Sequence, residues 1–249
     1  MTPHCRYVLR LADTNLVLAQ RLGEWVGHAP ALEEDLGLAN VALDLLGQAR
    51  LLLTHAGELE GRGRTEDEFA YLREESEYLN LTLVEQPNGD FGDTITRQFL
   101  FDAWQLDLYE NLSLSKDVKL AAIAAKGARE AAYHLRYSSG WLIRLGDGTS
   151  ESHARVERSI ARLWPYTNEL FDADEVDREV LAASIGPDPA TLGKNWSRRV
   201  DAVLVKATLA RPAPAKFGWY GKQGRHSEHL GYLLAELQSL HRAHPGATW

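Results

Sequence analysis

Apolar residues recur along this chain at helical spacing, and no two segments alternate in the way a pair of strands requires. A first helix is expected from about Thr2 to Val26, carrying Leu9, Leu11, Leu16, Leu18 and Leu22, with Gly27 and Pro30 as its stop. A second runs from about Ala31 to Leu59. There Leu32, Leu36, Ala39, Leu43, Leu46, Arg50 and Leu53 follow an i, i+4, i+7 rhythm and predict the core-facing stripe. Gly57, Gly61 and Gly63 break it. Thr65 with Glu68 then has the form of a capping box, for a short helix through Arg73. Leu81 to Val84 has strand-like residues but nothing to pair with, and reads as irregular or helical.

After the turn Pro87-Asn88-Gly89-Asp90, an aromatic-rich third long helix is expected from about Asp93 to Leu112, and a fourth from about Val118 to Leu145. A fifth covers about Ser152 to Phe171. A sixth opens at Asp188-Pro189 and continues to about Ala210; Arg211 to Arg225 reads as a loop, and a last helix spans about Ser227 to Ala243. Helices one and two, and three and four, form hairpins with short connections. The expected fold is all-α, an antiparallel four-helix bundle in one domain over residues 1–249, with its core at about 2–145 and peripheral helices at about 150–243.

Composition narrows the function classes. The 249 residues carry 27 basic against 35 acidic side chains, a net charge of −8, which argues against a nucleic-acid partner. Cys5 is the single cysteine and cannot form an internal disulfide, which fits a reducing compartment. No run of 18 apolar residues and no signal-like N-terminus is present, so the expectation is a cytoplasmic protein without a membrane partner.

The chemistry to weigh lies in the polar residues inside the bundle. Helix two carries Asp44, Gln48 and Arg50, and helix four carries Glu130, His134 and Arg136 at the same offsets. Each has an aspartate in the preceding helix amid apolar neighbours: Asp13, 31 residues before Asp44, and Asp102, 28 residues before Glu130. This pattern resembles the ferritin-like carboxylate bundles, which hold two metal ions with a Glu on each of two helices and Glu-x-x-His on each of the other two. Here both motifs are broken. Leu45 stands three residues before Gln48, Ala131 stands three before His134, and Gln48 replaces a His. The expectation is therefore no metal, no cofactor and no catalytic residue. In their place stands a buried hydrogen-bonded network of Asp13, Asp44, Gln48, Asp102, Glu130 and His134, with Arg50 and Arg136 as its internal cations. The rival is an atypical di-iron oxygenase using Asp13, Asp44, Asp102, Glu130 and His134.

His226-Ser-Glu-His229 has the spacing of a metal pair, but its Glu is misplaced for a metalloprotease base. It reads as Ser227 capping the last helix, with imidazoles at a surface or at a contact between chains. His28 and His55 read as capping or surface residues.

Several stretches together, Arg21–Pro30, Asn40–Arg50, Leu83–Gly89, Tyr133–Arg136, Glu169–Asp174 and His226–Leu230, resemble the C subunits of bacterial phenylacetyl-CoA 1,2-epoxidases. The similarity spans about Tyr7 to Trp249. It implies a ferritin-like fold and a non-catalytic structural role in aerobic phenylacetate degradation. The implied partner is a related A subunit that holds the di-iron centre, with further epoxidase and reductase subunits and a possible homodimer when alone. It also implies phenylacetyl-CoA bordered by two segments that align with Glu77-Tyr78-Leu79-Asn80 and Arg178-Glu179-Val180. A stand-alone acyl-CoA-binding helical protein is the other alternative.

Overall fold

A computed structural model describes residues 1–215 and 217–247; Lys216, in the expected loop, and the last two residues lie outside the described residues. Among the described residues the chain is all-α, with ten α-helices, three short 3₁₀ turns and one isolated bridge between Tyr220 and Arg225. It divides into two compact units, residues 1–87 with 220–249, and residues 88–219. Each of the two expected hairpins carries later helices of its own.

Unit 1 contains α1 (Pro3–Gly23), α2 (Leu32–Glu60), α3 (Glu66–Tyr71), α4 (Thr82–Glu85) and α10 (Glu228–Ala243). The starts are set by local chemistry. Thr2 caps α1 by accepting from the Cys5 N–H, with Pro3 in the first turn. Glu33, Glu34 and Asp35 place negative charge at the N-terminus of α2, where the helix dipole favours it, and Gly61 ends that helix at φ 69°. Thr65 and Glu68 form the expected capping box of α3. The apolar stretch at Leu81 becomes the single helical turn α4. α1 is buried almost all round and packs on α2, while α10 packs on α3, α1 and α4.

The core stripe expected on α2 is inverted. Leu38, Val41, Leu45, Gln48, Ala49, Leu52 and Leu53 form the buried face. Leu32 is 70% exposed, Leu36 58%, Leu43 64% and Leu46 39%, and Arg50 is also exposed. Only Leu53 of the expected stripe is fully inside, with Ala39 half-buried. The reason is that α2 is apolar on two faces, so periodicity alone cannot say which face meets α1. By length and composition α2 is apolar enough to cross a membrane. Its buried face against α1, and its acidic first turn, are those of a helix in a folded unit.

Unit 2 contains α5 (Phe91–Leu112), α6 (Val118–Gly146), α7 (Ser150–Leu163), α8 (Glu175–Ala182) and α9 (Pro189–Lys206). Asp90 and Asp93 box the start of α5, and Asp117 caps α6. The expected fifth helix stops early. Pro165 ends regular i→i−4 bonding, and Trp164–Leu170 continues as 3₁₀ turns. Sequence reading missed α8, whose signal is the boxed pair Asp174 and Asp177. α9 also ends early, at a left-handed Thr208 (φ 57°), whose hydroxyl donates to the Gly146 carbonyl (3.1 Å) and offsets part of that strain. Trp196 packs against Trp164 and Phe171 and donates to the Leu100 carbonyl, seating α9 on α5.

Candidate functional site

In unit 1 the buried polar residues centre on Asp13. The Arg73 guanidinium meets both its oxygens, Nη1 donating to Oδ2 at 3.0 Å and Nη2 to Oδ1, and the Leu79 N–H donates to Oδ2 at 2.9 Å. Arg73 also donates to the Phe69 and Glu77 carbonyls and stacks on the Tyr78 ring, 4.2 Å from its centroid. Burial works against the charged guanidinium, but the charge and hydrogen bonds of Asp13 outweigh it and raise its pKa. Asp13 is thus a carboxylate whose counter-ion is already in place. Nearby on α1, Asn15 donates to the Gln48 Oε1 at 3.2 Å.

In unit 2 Asp102 is fully buried. It accepts from Gln98 Nε2 and Ser138 Oγ, each at 2.7 Å. Burial raises its pKa to about 6, while His134, Ser138 and Gln98 pull the other way. His134 is buried on the same face of α6 as Ser138, four residues on.

The six expected network residues therefore fall into two groups. Asp13, Gln48, Asp102 and His134 are buried. Asp44 and Glu130 are half-buried, with Glu130 3.5 Å from Lys126. Arg50 and Arg136 are not internal cations. Both are exposed, Arg50 beside Glu66 at 3.6 Å and Arg136 over the Tyr133 ring. Two residues on from Gln48 or His134 is about 200° round the helix, so neither arginine can share the buried face. The buried cation that meets Asp13 is Arg73, which sequence reasoning missed. An arginine beside Glu74 and Glu75, 60 residues from its partner, carries no local signal of burial.

The donors do not match a two-iron centre. Iron would need Asp13 to exchange a forked guanidinium for a metal, and Gln48 offers a neutral amide where imidazole is needed.

The two segments expected to border phenylacetyl-CoA are largely inward. Tyr78, Leu79 and Asn80 are buried and Glu77 is exposed. Tyr78 donates to the Ala70 carbonyl and accepts from Gln238, and burial pushes its phenol up to about 12. Val180 is buried, whereas Arg178 and Glu179 are exposed.

Two histidine readings are overturned. His55 is buried, 3.6 Å from Glu58. His226 has its ring buried against Glu85 (2.6 Å). Ser227 sits at the N-cap of α10 without a side-chain cap; its hydroxyl donates to Glu85 Oε2 instead (2.6 Å).

The outward face of α2 borders a groove of about 400 Å³ in unit 1, floored by Leu16, Ala19, Ala39, Leu43, Leu46 and Leu237. Contiguous exposed leucines of this kind mark interaction surfaces.

Comparison with known proteins adds two findings. A family model described as Phenylacetic acid catabolic protein matches residues 1–249. The chain is 53% identical over 243 residues to the C subunit of the 1,2-phenylacetyl-CoA epoxidase of Escherichia coli (strain K12), an alignment covering 98% of each protein.

Proposed function

Because the chain belongs to the phenylacetic acid catabolic protein family, we propose that it is the C subunit of a phenylacetyl-CoA 1,2-epoxidase, a structural partner of the subunit that performs the chemistry. The observation that carries this reading is the Asp13–Arg73 pair. Where a di-iron protein of this helical layout needs free carboxylates, this chain has a carboxylate already neutralised by its own arginine. α1, α2, α5 and α6 are read as the four long helices of a ferritin-like bundle, with the remaining helices peripheral.

The partner is the di-iron A subunit, in a complex that includes further epoxidase and reductase subunits. The surface offered to it is the outward face of α2, where Leu32, Leu36, Leu43 and Leu46 are too exposed to serve this chain's own core. Apolar side chains of this density stabilise an interface by removing area from water, about 25 cal/mol for each Å² buried. At the border of the acyl-CoA site, contact with phenylacetyl-CoA would run through the exposed side chains Glu77, Arg178 and Glu179. The buried Tyr78, Leu79, Asn80 and Val180 set the shape of the backbone beneath them.

Co-purification with the A subunit tests the reading, with epoxidation measured with and without this chain. The chain alone is expected to hold no stoichiometric iron and to show no oxygenase activity. Two irons per isolated chain would establish the rival, a di-iron oxygenase. Tight binding of phenylacetyl-CoA to the isolated chain in a calorimeter would establish a stand-alone acyl-CoA binder.

A further inference from the structure

The stretch that leads into α10 lies tightly on residues 76–85. A Cβ on Gly221 would strike the Asn80 carbonyl, and one on Gly224 (φ 79°) would strike the Ser76 carbonyl. Arg10 of α1 donates to the Lys222 carbonyl at 3.0 Å, and Arg21 donates to the carbonyls of Glu85 and His229. At the centre of this contact sit Glu85 and His226, both with side chains wholly removed from solvent.

The hydrogen-bond geometry defines their charge states. Glu85 Oε1 faces Asn80 Nδ2 at 3.1 Å and His226 Nδ1 at 2.6 Å. Glu85 Oε2 faces the Ser227 N–H at 2.9 Å and the Ser227 hydroxyl at 2.6 Å. The amide and the backbone N–H can only donate, so both carboxyl oxygens of Glu85 accept. The second ring nitrogen, Nε2, lies 2.8 Å from the Tyr78 carbonyl, which can only accept. A neutral imidazole has one N–H and cannot serve both acceptors. One lone pair would then face either a carboxylate or a carbonyl at hydrogen-bonding distance. Against an ionised Glu85, only the doubly protonated ring serves both acceptors.

We infer that Glu85 and His226 form a pH-gated latch: the imidazolium ties the start of α10 to residues 78–85, and loss of its proton releases the 220–243 arm from the rest of unit 1. The ring nitrogens are both engaged, so His226 is not free to pair with His229 as a metal ligand. The charged groups around the ring act in a consistent direction. Glu85 from α4 and Glu75 from the 3₁₀ turn Glu75–Glu77 favour the imidazolium. Arg21 from α1 is turned to backbone carbonyls and to Glu24. The Tyr78 phenol is turned to Ala70 and Gln238, and on the ring's own stretch Arg225 and Glu228 are exposed while His229 is half-buried. Burial opposes the charge, but the hydrogen bond and charge of Glu85 and the Tyr78 carbonyl outweigh it, and the His226 pKa lies above its ordinary 6.5. The tie is therefore at full strength below about 6.5 and is lost as the pH rises through the folded value.

Nitrogen-detected NMR of the full chain at pH 5.5 is expected to show both His226 ring nitrogens protonated; a ring with one bare nitrogen there overturns the latch outright. Hydrogen exchange from pH 6.5 to 9.5, corrected for intrinsic chemistry, then reads the release. α10 peptides are expected to lose protection at least tenfold relative to α5 as the pH rises. His226→Gln and Glu85→Gln should each show that loss already at pH 6.5 and no further pH dependence in α10. If α10 keeps the same protection relative to α5 across the range in the unaltered chain, the latch is refuted, whether or not the variants fold.

Discussion

Replacing Arg73 with Met removes the guanidinium that forks onto Asp13 and lies over the Phe69 and Tyr78 rings, while keeping much of the apolar length of the side chain. The arginine side chain is 4% exposed and the aspartate 0%, so water cannot rescue the carboxylate that is left behind. Breaking a pair this deeply buried costs about 3–5 kcal/mol, most of it the penalty on the orphaned charge. The backbone carbonyls of Phe69 and Glu77 lose their donors as well, which pushes the value to the upper part of that range. The control is the double variant Asp13→Asn with Arg73→Met. It removes the charge together with its partner and should recover more than half of the loss, since a neutral amide is cheaper to leave buried than a carboxylate. Urea unfolding followed by circular dichroism, with exchange on α1 peptides to locate the effect in unit 1, gives both numbers. A single variant within about 1 kcal/mol of the parent, or a double variant no better than the single, would refute the view that Arg73 neutralises Asp13.

Asp102 supplies a test in unit 2. Its pKa is raised from 3.8 to about 6, so the folded state holds its proton longer than the unfolded chain. Stability should fall by about 3 kcal/mol as the pH rises from about 4 to 6, and Asp102→Asn should remove that slope in pH-dependent urea titrations. Leu43→Glu, on a side chain 64% exposed, should leave the chain's own unfolding within about 0.5 kcal/mol of the parent. The same change should weaken co-purification with the proposed di-iron partner at least tenfold; unaltered binding would remove α2 from the proposed interface. Gly146→Ala places a methyl against the Ala207 carbonyl, and thermal unfolding should show a loss of about 1–3 kcal/mol.

What sequence made legible was local. The Thr65–Glu68 box and the Asp188-Pro189 start of α9 are decided within one helical turn, and each stands where expected. What it hid was pairing at a distance. Arg73 finds Asp13 across 60 residues, and His226 finds Glu85 across 141. Neither Arg73 nor His226 differs in its sequence neighbours from a surface residue. On α2 the difficulty was of another kind. Two apolar stripes compete for one mate, and only the packed structure shows that α1 takes the face with Leu38, Leu45 and Leu52. The motif offsets at Gln48 and His134 correctly drew attention to buried positions, but the arginines two places on lie on the far side of their helices.

The return of α10 to the company of α1 and α3 has a consequence during synthesis. Unit 2 is one unbroken length of chain, residues 88–219, and can close as soon as that length leaves the ribosome. Unit 1 is made from both ends. Its residues 1–87 wait for α10, which is translated only after all of unit 2. A chain ended after residue 219 would therefore carry a complete unit 2 beside a unit 1 that lacks α10, its closing helix.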